Sequence, residues 1–381
     1  MPKNDIANRV FERAQAMELL DALPRLAGLS EERVNSIRAK GEFSAAEYEQ
    51  LCRALAVDPV IMYRGEETQP NRAPVRFRAA ITGDRPNGED IRVLALAVEQ
   101  GRILAHLLAL LGKPIELARH RMIHSPSAVQ ETWREGYTLG EAARFALSSE
   151  PGPIHELERL FRRLGIHVAH MSFTSPDVDA ASIWDPHAVP IILVNKTSPL
   201  YAHPAARRSM LAHELCHLLH DAGEQDLTTE VSWGSERSGN YSNALEVRAR
   251  AFAPAFLAPR DQTKAWFQVQ PQRVRNDPGK TVSAIAEHWG LSFEGSVWHA
   301  KNCEILDPQV AAGLAAQPSR QWRAYEEFME EPMWLPPAMV NDDLPKKAAE
   351  LWEGWATELV LAALDEGHIT VGRARELLSW G

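Results

Sequence analysis

The feature that most constrains this sequence is a pair of histidines, His213 and His217, in the run RRSMLAHELCHLLHD. Residues at i and i+4 lie on the same face of an α-helix, so these two imidazoles can bind one ion if the segment is helical. Leucine and alanine residues flank the histidines, which indicates that the opposite face packs against other elements. We therefore predict a helix over about residues 205–219, with its histidine face directed into a cleft.

Zinc is the metal that this pattern favours. Nitrogen ligands in a tetrahedral arrangement suit Zn²⁺, and a catalytic zinc site uses three protein ligands with water in the fourth position. Glu214 directly follows the first histidine, and from there its carboxylate reaches that water rather than the ion. We interpret Glu214 as the general base of a hydrolytic reaction, which predicts a zinc-dependent peptidase.

Two residues compete as the third ligand. His220 faces the same side of the helix as His217 but lies a turn further along, which makes a shared ion difficult. Glu246 lies on the next predicted helix, residues 243–257, and a carboxylate from a second helix completes a His₂Glu site. We predict Glu246 as the third ligand. Tyr241 and His220 are the candidates for stabilising the oxyanion that forms during peptide hydrolysis.

Strand signals cluster just before the histidine helix. Runs rich in β-branched and apolar residues at 165–173, 181–185 and 189–195 predict a small sheet. Residues 224–242 are polar and predict a loop. Helical periodicity dominates the rest of the chain. We predict an α+β fold that is mainly helical, in which strand 189–195 offers an edge to an extended substrate.

The two helical motifs together resemble the ImmA/IrrE family of metallo-endopeptidases. That family pairs an AHELGH helix with a later ExxANxFAxxLLxP segment, and this chain has AHELCH followed by EVRARAFAPAFLAP. The resemblance covers about residues 135–260. It implies a zincin-like metallopeptidase domain with His213, His217 and Glu246 as Zn²⁺ ligands and Glu214 as catalytic base. Because family members typically cleave a helix-turn-helix repressor, it also implies a regulator protein as substrate.

Two positions depart from the family's pattern. Cys216 stands where the family usually has glycine, and a cysteine is small enough for that helix. Arg250 stands where the family usually has Asn or Asp. An Asn or Asp at this position is expected to orient the metal ligands. Because this chain has arginine there, the resemblance leaves the orientation of the ligands open.

Residues 23–65 resemble a helix-turn-helix domain of the XRE type. In that likeness the helix from about residue 31 to residue 40 enters the major groove. The residues that it would present to DNA are Arg33, Asn35, Ser36 and Arg38. Residues 1–65 contain nine Lys or Arg and ten Asp or Glu, a net charge of −1, which gives DNA little electrostatic attraction. Two interpretations of this domain therefore stay open: DNA binding, and a role in substrate docking or dimerisation.

A chain of 381 residues exceeds one ordinary core, and four regions are predicted. They are a helix-turn-helix domain at 1–68, a helical connector at 74–135, a metallopeptidase domain at 136–260 and a helical regulatory or oligomerisation region at 261–381. A helical stripe in the last region predicts a core face or a homodimer seam. Its members are Ala348, Leu351, Trp352, Trp355, Leu359, Ala362 and Ala363.

Composition restricts the classes of binding partner and the cellular location that we expect. A net charge of −10 gives no general attraction to nucleic acid or to anionic membrane. Three cysteines and an N-terminus without an export signal predict a cytoplasmic protein. Residues 92–112 are apolar but include Glu99, Gln100, Arg102 and His106, so we predict a buried or partner-facing helix and no membrane span. Cys303 is interpreted as a buried thiol, with inhibition of zinc by its thiolate as the alternative.

Two functions follow from these observations. The first is a zinc endopeptidase that cleaves a transcriptional repressor or another regulator in stress response, mobile elements or defence. The alternative is a DNA-binding regulator of the XRE type, in which the metallopeptidase-like domain is a sensor or a structural module.

Overall fold

The computed structural model describes residues 3–65, 88–113, 132–148, 151–175, 178–222, 228–233, 244–316, 344 and 348–379, with the backbone alone at 3–4 and 228–233. Within these ranges the protein is mainly helical and has one four-stranded sheet. The predicted α+β class is therefore confirmed.

In the part of the chain that the structure describes, the elements before the sheet are helices. They are α1 (Lys3–Ala16), α2 (Leu23–Ala27), α3 (Glu31–Lys40), α4 (Ala45–Ala54), α5 (Pro59–Arg64), α6 (Gly88–Leu110), α7 (Thr132–Leu147) and α8 (Leu157–Arg163). The sheet and the two helices of the histidine and glutamate motifs follow. These elements are β1 (His167–Met171), β2 (Val178–Trp184), β3 (Ile191–Asn195), α9 (Pro204–Cys216), β4 (Thr228–Trp233) and α10 (Ala244–Leu257).

Helices also make up the described part of the C-terminal region. They are α11 (Arg260–Gln268), α12 (Gln272–Arg275), α13 (Pro278–Trp289), α14 (Phe293–Asn302), α15 (Pro308–Ala315), α16 (Trp355–Asp365) and α17 (Val371–Leu378).

A three-residue turn joins α2 to α3. Gly28 ends α2 in the left-handed region, with φ 65°, which glycine adopts without steric cost. Ser30 caps α3, because its hydroxyl accepts a hydrogen bond of 3.2 Å from the backbone N–H of Arg33. A short turn that contains glycine is typical of helix-turn-helix units. The local geometry is thus compatible with such a unit, and DNA binding stays a prediction.

The sheet has the strand order β1-β3-β2-β4. β3 lies inside it, parallel to β1 and antiparallel to β2, and all five of its residues are buried. The prediction that this strand offers an edge is therefore wrong, and the outer strands are β1 and β4. The loop predicted at 224–242 is also wrong over Thr228–Trp233, because pairing with β2 turns this mostly polar segment into a strand.

Two apolar clusters cover the two faces of the sheet. Residues alternate in direction along a strand, so Ile191 and Leu193 of β3 enter one cluster while Ile192 and Val194 enter the other. The first cluster contains residues of the N-terminal helices, α6, α16 and α17. The second contains residues of α7 to α10, α13 and α14, so its packing continues past residue 260 as far as Ala300.

Helix α6 belongs to the first cluster. Among the described residues it is the one helix long and apolar enough to cross a membrane, and 67% of its most apolar window is buried inside the protein. Its buried Asp90 accepts hydrogen bonds from the backbone N–H of Thr174 at 2.8 Å and from its hydroxyl at 2.9 Å. A buried acid that is satisfied by the segment after β1 indicates a core helix, which is the first of the two alternatives predicted for residues 92–112.

The apolar stripe near the C-terminus does not lie on one continuous helix. Gly354, with φ 68°, separates a 3₁₀ turn at Glu350–Trp352 from α16. Leu351, Trp352 and Leu359 are nonetheless buried in the first cluster. The stripe therefore acts as a core face within the chain.

Candidate metal centre and cleft

Helix α9 and the turn after it carry the two motif histidines. α9 ends at Cys216, and one π-helical turn follows over His217–Asp221. The backbone N–H of Ala222 donates to the carbonyl oxygen of His217 over 3.0 Å, which is the i to i+5 bond of such a turn. π-Helical turns are found frequently at functional sites.

Three buried side chains converge at this point: His213, His217 and Glu246. The Nε2 atoms of the two histidines are 3.0 Å apart. The carboxylate oxygens of Glu246 lie 3.1 Å from Nε2 of His213 and 3.3 Å from Nε2 of His217. Among the described residues, this is the one group of His, Cys, Asp and Glu side chains whose ligand atoms gather closely enough to hold an ion.

These distances fit a tetrahedral metal ion. Bonds of about 2.0–2.1 Å to a tetrahedral Zn²⁺ separate neighbouring ligand atoms by roughly 3.3 Å. Two imidazole nitrogens that both present lone pairs across 3.0 Å repel each other unless a proton or a cation lies between them. The donor set therefore suits a divalent cation.

Glu246 is held as a carboxylate. Burial raises the pKa of this carboxyl, but hydrogen bonds from His213 and His217 and the charge of these imidazoles lower it more strongly. The net pKa lies far below the ordinary range of a glutamate. Glu246 is consequently anionic at neutral pH, which is the form that binds a cation.

Asp221 orients the second histidine. Its Oδ2 accepts a hydrogen bond of 2.6 Å from Nδ1 of His217, which leaves Nε2 with the lone pair that a metal needs. The other carboxylate oxygen of Asp221 contacts the guanidinium of Arg248, and Arg248 lies 3.6 Å from Glu135 of α7. This chain of contacts links the π-helical turn to α10 and α7.

The close approach of α7 to α10 fixes the position of the helix that carries Glu246. A Cβ atom on Gly136 would lie 2.3 Å from the carbonyl oxygen of Arg248, and one on Gly140 would lie 2.5 Å from that of Phe252. Neither distance is sterically allowed. The two glycines of GYTLG therefore permit the backbones of α7 and α10 to meet.

Residues 161–295 match the family model Peptidase_M78, described as the IrrE N-terminal-like domain. Over this segment the chain is similar to the IrrE N-terminal-like domain. The matched segment includes α9, α10 and all three clustered side chains, and it extends beyond the predicted limit of residue 260. A search of curated proteins found no match to the chain.

The other predicted site residues lie less centrally than the three clustered side chains. Glu214 lies on α9 and is fully buried. The ring of His220 packs edge-on against Phe252, and His220 does not line the cleft beside the metal-binding group. Tyr241 lies outside the described residues. The roles of Glu214 and Tyr241 therefore stay predictions, and His220 is poorly placed to stabilise an oxyanion.

Arg250 lines the cleft. The contacts that orient His217 come from Asp221, which in turn contacts Arg248. Sequence analysis missed this pair, although Asp221 follows His217 at the i+4 spacing that brings side chains together on a helix.

The two cysteines nearest the centre are unreactive thiols. Burial raises the pKa of the Cys216 thiol and of the Cys303 thiol to about 12 each. Sγ of Cys303 lies 3.4 Å from Nε2 of His299. The structure thus favours the interpretation of Cys303 as a buried thiol over that of a zinc inhibitor.

A cleft of about 580 Å³ opens beside His213 and Glu246. Its walls come from α7, α9, α10 and α14, so a helix of the C-terminal region lies next to the metal-binding group. Large apolar side chains line much of it. They include Trp133, Tyr137, Leu200, Met210, Leu291 and Trp298. A mostly apolar cleft beside a metal-binding group is the expected form of an active site.

Proposed function

We propose that this protein is a zinc-dependent endopeptidase. The supporting observation is the convergence of His213, His217 and Glu246, with their ligand atoms 3.0–3.3 Å apart, at one end of an apolar cleft. The match to a metallopeptidase family model over residues 161–295 supports the same conclusion. Zinc is proposed because two imidazoles and one carboxylate form a typical catalytic zinc site.

The protein's own residues have distinct tasks in this mechanism. When bound, zinc lowers the pKa of a coordinated water and polarises the carbonyl group of the scissile bond. Glu214 accepts the proton of the attacking water and later returns it to the leaving amine. Asp221 keeps His217 in the tautomer that presents Nε2 to the metal. Tyr241 is proposed to donate a hydrogen bond to the oxyanion.

Glu214→Gln tests the proposal directly. Parent and variant are loaded with zinc, their metal content is measured, and each is incubated with repressors whose genes neighbour its own. Mass spectrometry should identify a new terminus in one repressor with the parent enzyme. The variant should hold the same amount of zinc and cleave at least about 10² times more slowly, because it lacks the proton acceptor.

Glu287→Gln is the matched control, because Glu287 is exposed on α13. It should cleave at the rate of the parent. Cleavage by Glu214→Gln at the parental rate would show that the proposed mechanism is wrong.

A helix-turn-helix repressor is the proposed substrate, on the strength of the resemblance to ImmA/IrrE endopeptidases. The outer strand β4 is proposed as the edge that receives an extended segment of this substrate, in place of β3. We also propose a cytoplasmic location. All three cysteines are buried thiols rather than disulfides, as is usual in a reducing compartment.

DNA binding through α3 is a second proposal, and the short turn between α2 and α3 is the observation that favours it. Asn35 and Arg38 are exposed on α3. Arg33, in contrast, donates to both carboxylate oxygens of Glu47 at 2.6 and 2.9 Å. Arg33 would have to leave this ion pair before it could contact DNA, so Arg38 carries more of the proposed contact than Arg33.

A gel-shift titration of the full chain with salt tests this second proposal. The full chain is needed because the N-terminal helices share an apolar cluster with α6, α16 and α17. Binding should weaken as salt rises and be reduced in Arg38→Ala, but not in Arg375→Ala on α17. No shift at low salt would end the proposal.

A further inference from the structure

The cleft contains an aromatic group that the metal centre does not use. Trp133 meets Tyr137 edge to face, with ring centroids 6.2 Å apart. Nζ of Lys301 lies 5.8 Å from the ring centroid of Trp133 and 5.8 Å from that of Trp298. A cation close to the faces of two indole rings is a favourable arrangement. Lys301 and Trp298 belong to α14 and Trp133 belongs to α7, so Lys301 connects these two walls of the cleft.

This aromatic group is partly open to solvent. Trp298 is 42% exposed, although large aromatic side chains usually bury most of their surface. In the same cleft, Tyr137 stacks on His299, and the Tyr137 hydroxyl lies 3.0 Å from Nδ1 of His299. Tyr137 and His299 are both buried, so this part of the lining is held in place by packing, whereas Trp298 is accessible.

The charged side chains of the cleft are unevenly distributed. The anions have partners inside the protein, because Asp179 accepts a hydrogen bond of 2.5 Å from the Ser198 hydroxyl and Glu246 faces the two histidines. Lys301 is a cation of the lining and lies beside two of its indole rings. Although the chain has a net charge of −10, the surroundings of Lys301 favour a negatively charged group of a ligand.

From these observations we propose that the cleft is a specificity subsite for the peptide substrate. It takes a bulky apolar side chain, aromatic or long aliphatic, next to the scissile bond, in contact with the wall that contains Trp133 and Trp298. Lys301 selects an acidic residue close to it in the substrate. The inference rests on the proposed peptidase function and specifies the peptide sequence that the enzyme prefers.

Two features connect the subsite to the reaction. His213 and Glu246 belong to the lining, so a residue held in the cleft lies directly beside the metal-binding group. Trp133 and Trp298 both lie outside the segment 161–295 that matches the IrrE N-terminal-like domain. The two tryptophans that set the preference therefore lie outside the matched segment.

A library of short peptides of random sequence tests the subsite. The zinc-loaded full chain is incubated with the library, and the products are sequenced by mass spectrometry. Phe, Trp, Leu or Met should exceed Ala at one position beside the cleaved bond by about tenfold or more, since a few buried methylene groups provide selectivity of this size. Asp and Glu should be enriched at a neighbouring position.

Two variants assign these preferences to residues. Trp298→Ala should reduce the apolar preference by about tenfold, and Trp298→Leu should retain most of it. Phe145→Ala is the matched control, because Phe145 is 84% exposed and lies outside the cleft. Lys301→Glu should remove the preference for acidic residues, whereas Lys113→Glu on the surface should not.

The outcomes separate this inference from the proposed function. Cleavage with no residue preference, or a preference unchanged in Trp298→Ala and Trp298→Leu, overturns the subsite and leaves the peptidase proposal intact. Fluorescence anisotropy with Glu214→Gln provides a readout without turnover: a Phe-containing peptide should bind about tenfold more tightly than its Ala counterpart. If such binding occurs but the parent cleaves nothing, the subsite stands and the peptidase proposal fails.

Discussion

Nδ1 of His217 donates a 2.6 Å hydrogen bond to the carboxylate of Asp221, one turn further along the same helical segment. Both side chains are 1% exposed, so water does not compete for this bond. Because the proton is fixed on Nδ1, the lone pair on Nε2 points to His213 and Glu246. The position of one carboxylate thus determines which nitrogen of His217 is available to a metal.

Asp221→Asn should weaken zinc binding. The amide can still lie near His217 but loses the negative charge that raises the basicity of the imidazole, and loss of such a partner typically costs about 10–100-fold in metal affinity. Competition with a zinc chelator measures the change. Asp365→Asn, at an exposed position of α16, is the control and should bind zinc as the parent does. Equal affinities in the two variants would rule out this role for Asp221.

Glu246→Ala should remove most of the stabilisation by zinc. Metal that binds only the folded state adds about 2.7 kcal/mol at a free concentration of 100 times Kd. Without the carboxylate, only His213 and His217 remain, and the same zinc concentration should shift the unfolding temperature far less. Thermal melts with zinc and with a chelator measure this effect, with Glu287→Ala as control. An undiminished shift in Glu246→Ala would show that Glu246 is not a ligand.

Gly136→Ala should destabilise the protein by about 1–3 kcal/mol, because the new methyl group overlaps the carbonyl oxygen of Arg248 and forces α7 away from α10. Gly313→Ala is a matched control on α15, where a Cβ meets nothing within 4 Å. There alanine should stabilise the helix by about 0.5–1 kcal/mol. Urea denaturation measures both changes. Equal effects at the two positions would contradict the close approach of α7 and α10.

His299 should make the protein less stable in mild acid. Burial lowers the pKa of His299 to about 4, whereas an unfolded histidine titrates near about 6.5. Between these values the unfolded state binds a proton that the folded state excludes, so the free energy of unfolding decreases as the pH falls through this range. Above about pH 6.5 this residue adds no dependence on pH.

Urea midpoints of metal-free protein between about pH 7 and pH 4.5 test this dependence. His299→Asn should have a flatter profile than the parent, and His368→Asn, at an exposed position, should keep the parental slope. The parent and His299→Asn share all their other histidines, so the difference between their two profiles measures the contribution of His299. A profile of His299→Asn as steep as that of the parent would contradict the prediction.

The sequence predicted the elements whose signals are local. The i, i+4 spacing of the motif histidines and the apolar repeat of α10 lie within single helices, so periodicity was sufficient to locate them. A catalytic zinc site needs a third protein ligand. This requirement, and not a pattern of spacing, predicted that Glu246 lies close to both histidines. For the same local reason the segments predicted as strands contain β1 and β3 and overlap the second half of β2.

What escaped prediction depends on contacts between distant parts of the chain. β4 is a strand because it pairs with β2, and its own residues are mostly polar. Trp133 and Trp298 line the same cleft. They are far apart in the sequence, so no short window of sequence contains both of them. The interruption at Gly354 was missed because the apolar residues on either side continue the helical period.

Helix α14 lines the cleft but supplies none of the three side chains that gather at the metal centre. In the proposed mechanism, water activation and the choice of peptide would thus depend on different helices. Exchanging residues along α14 would then redirect cleavage to new sequences while the hydrolytic chemistry stayed the same, so a changed target would not require a changed catalyst.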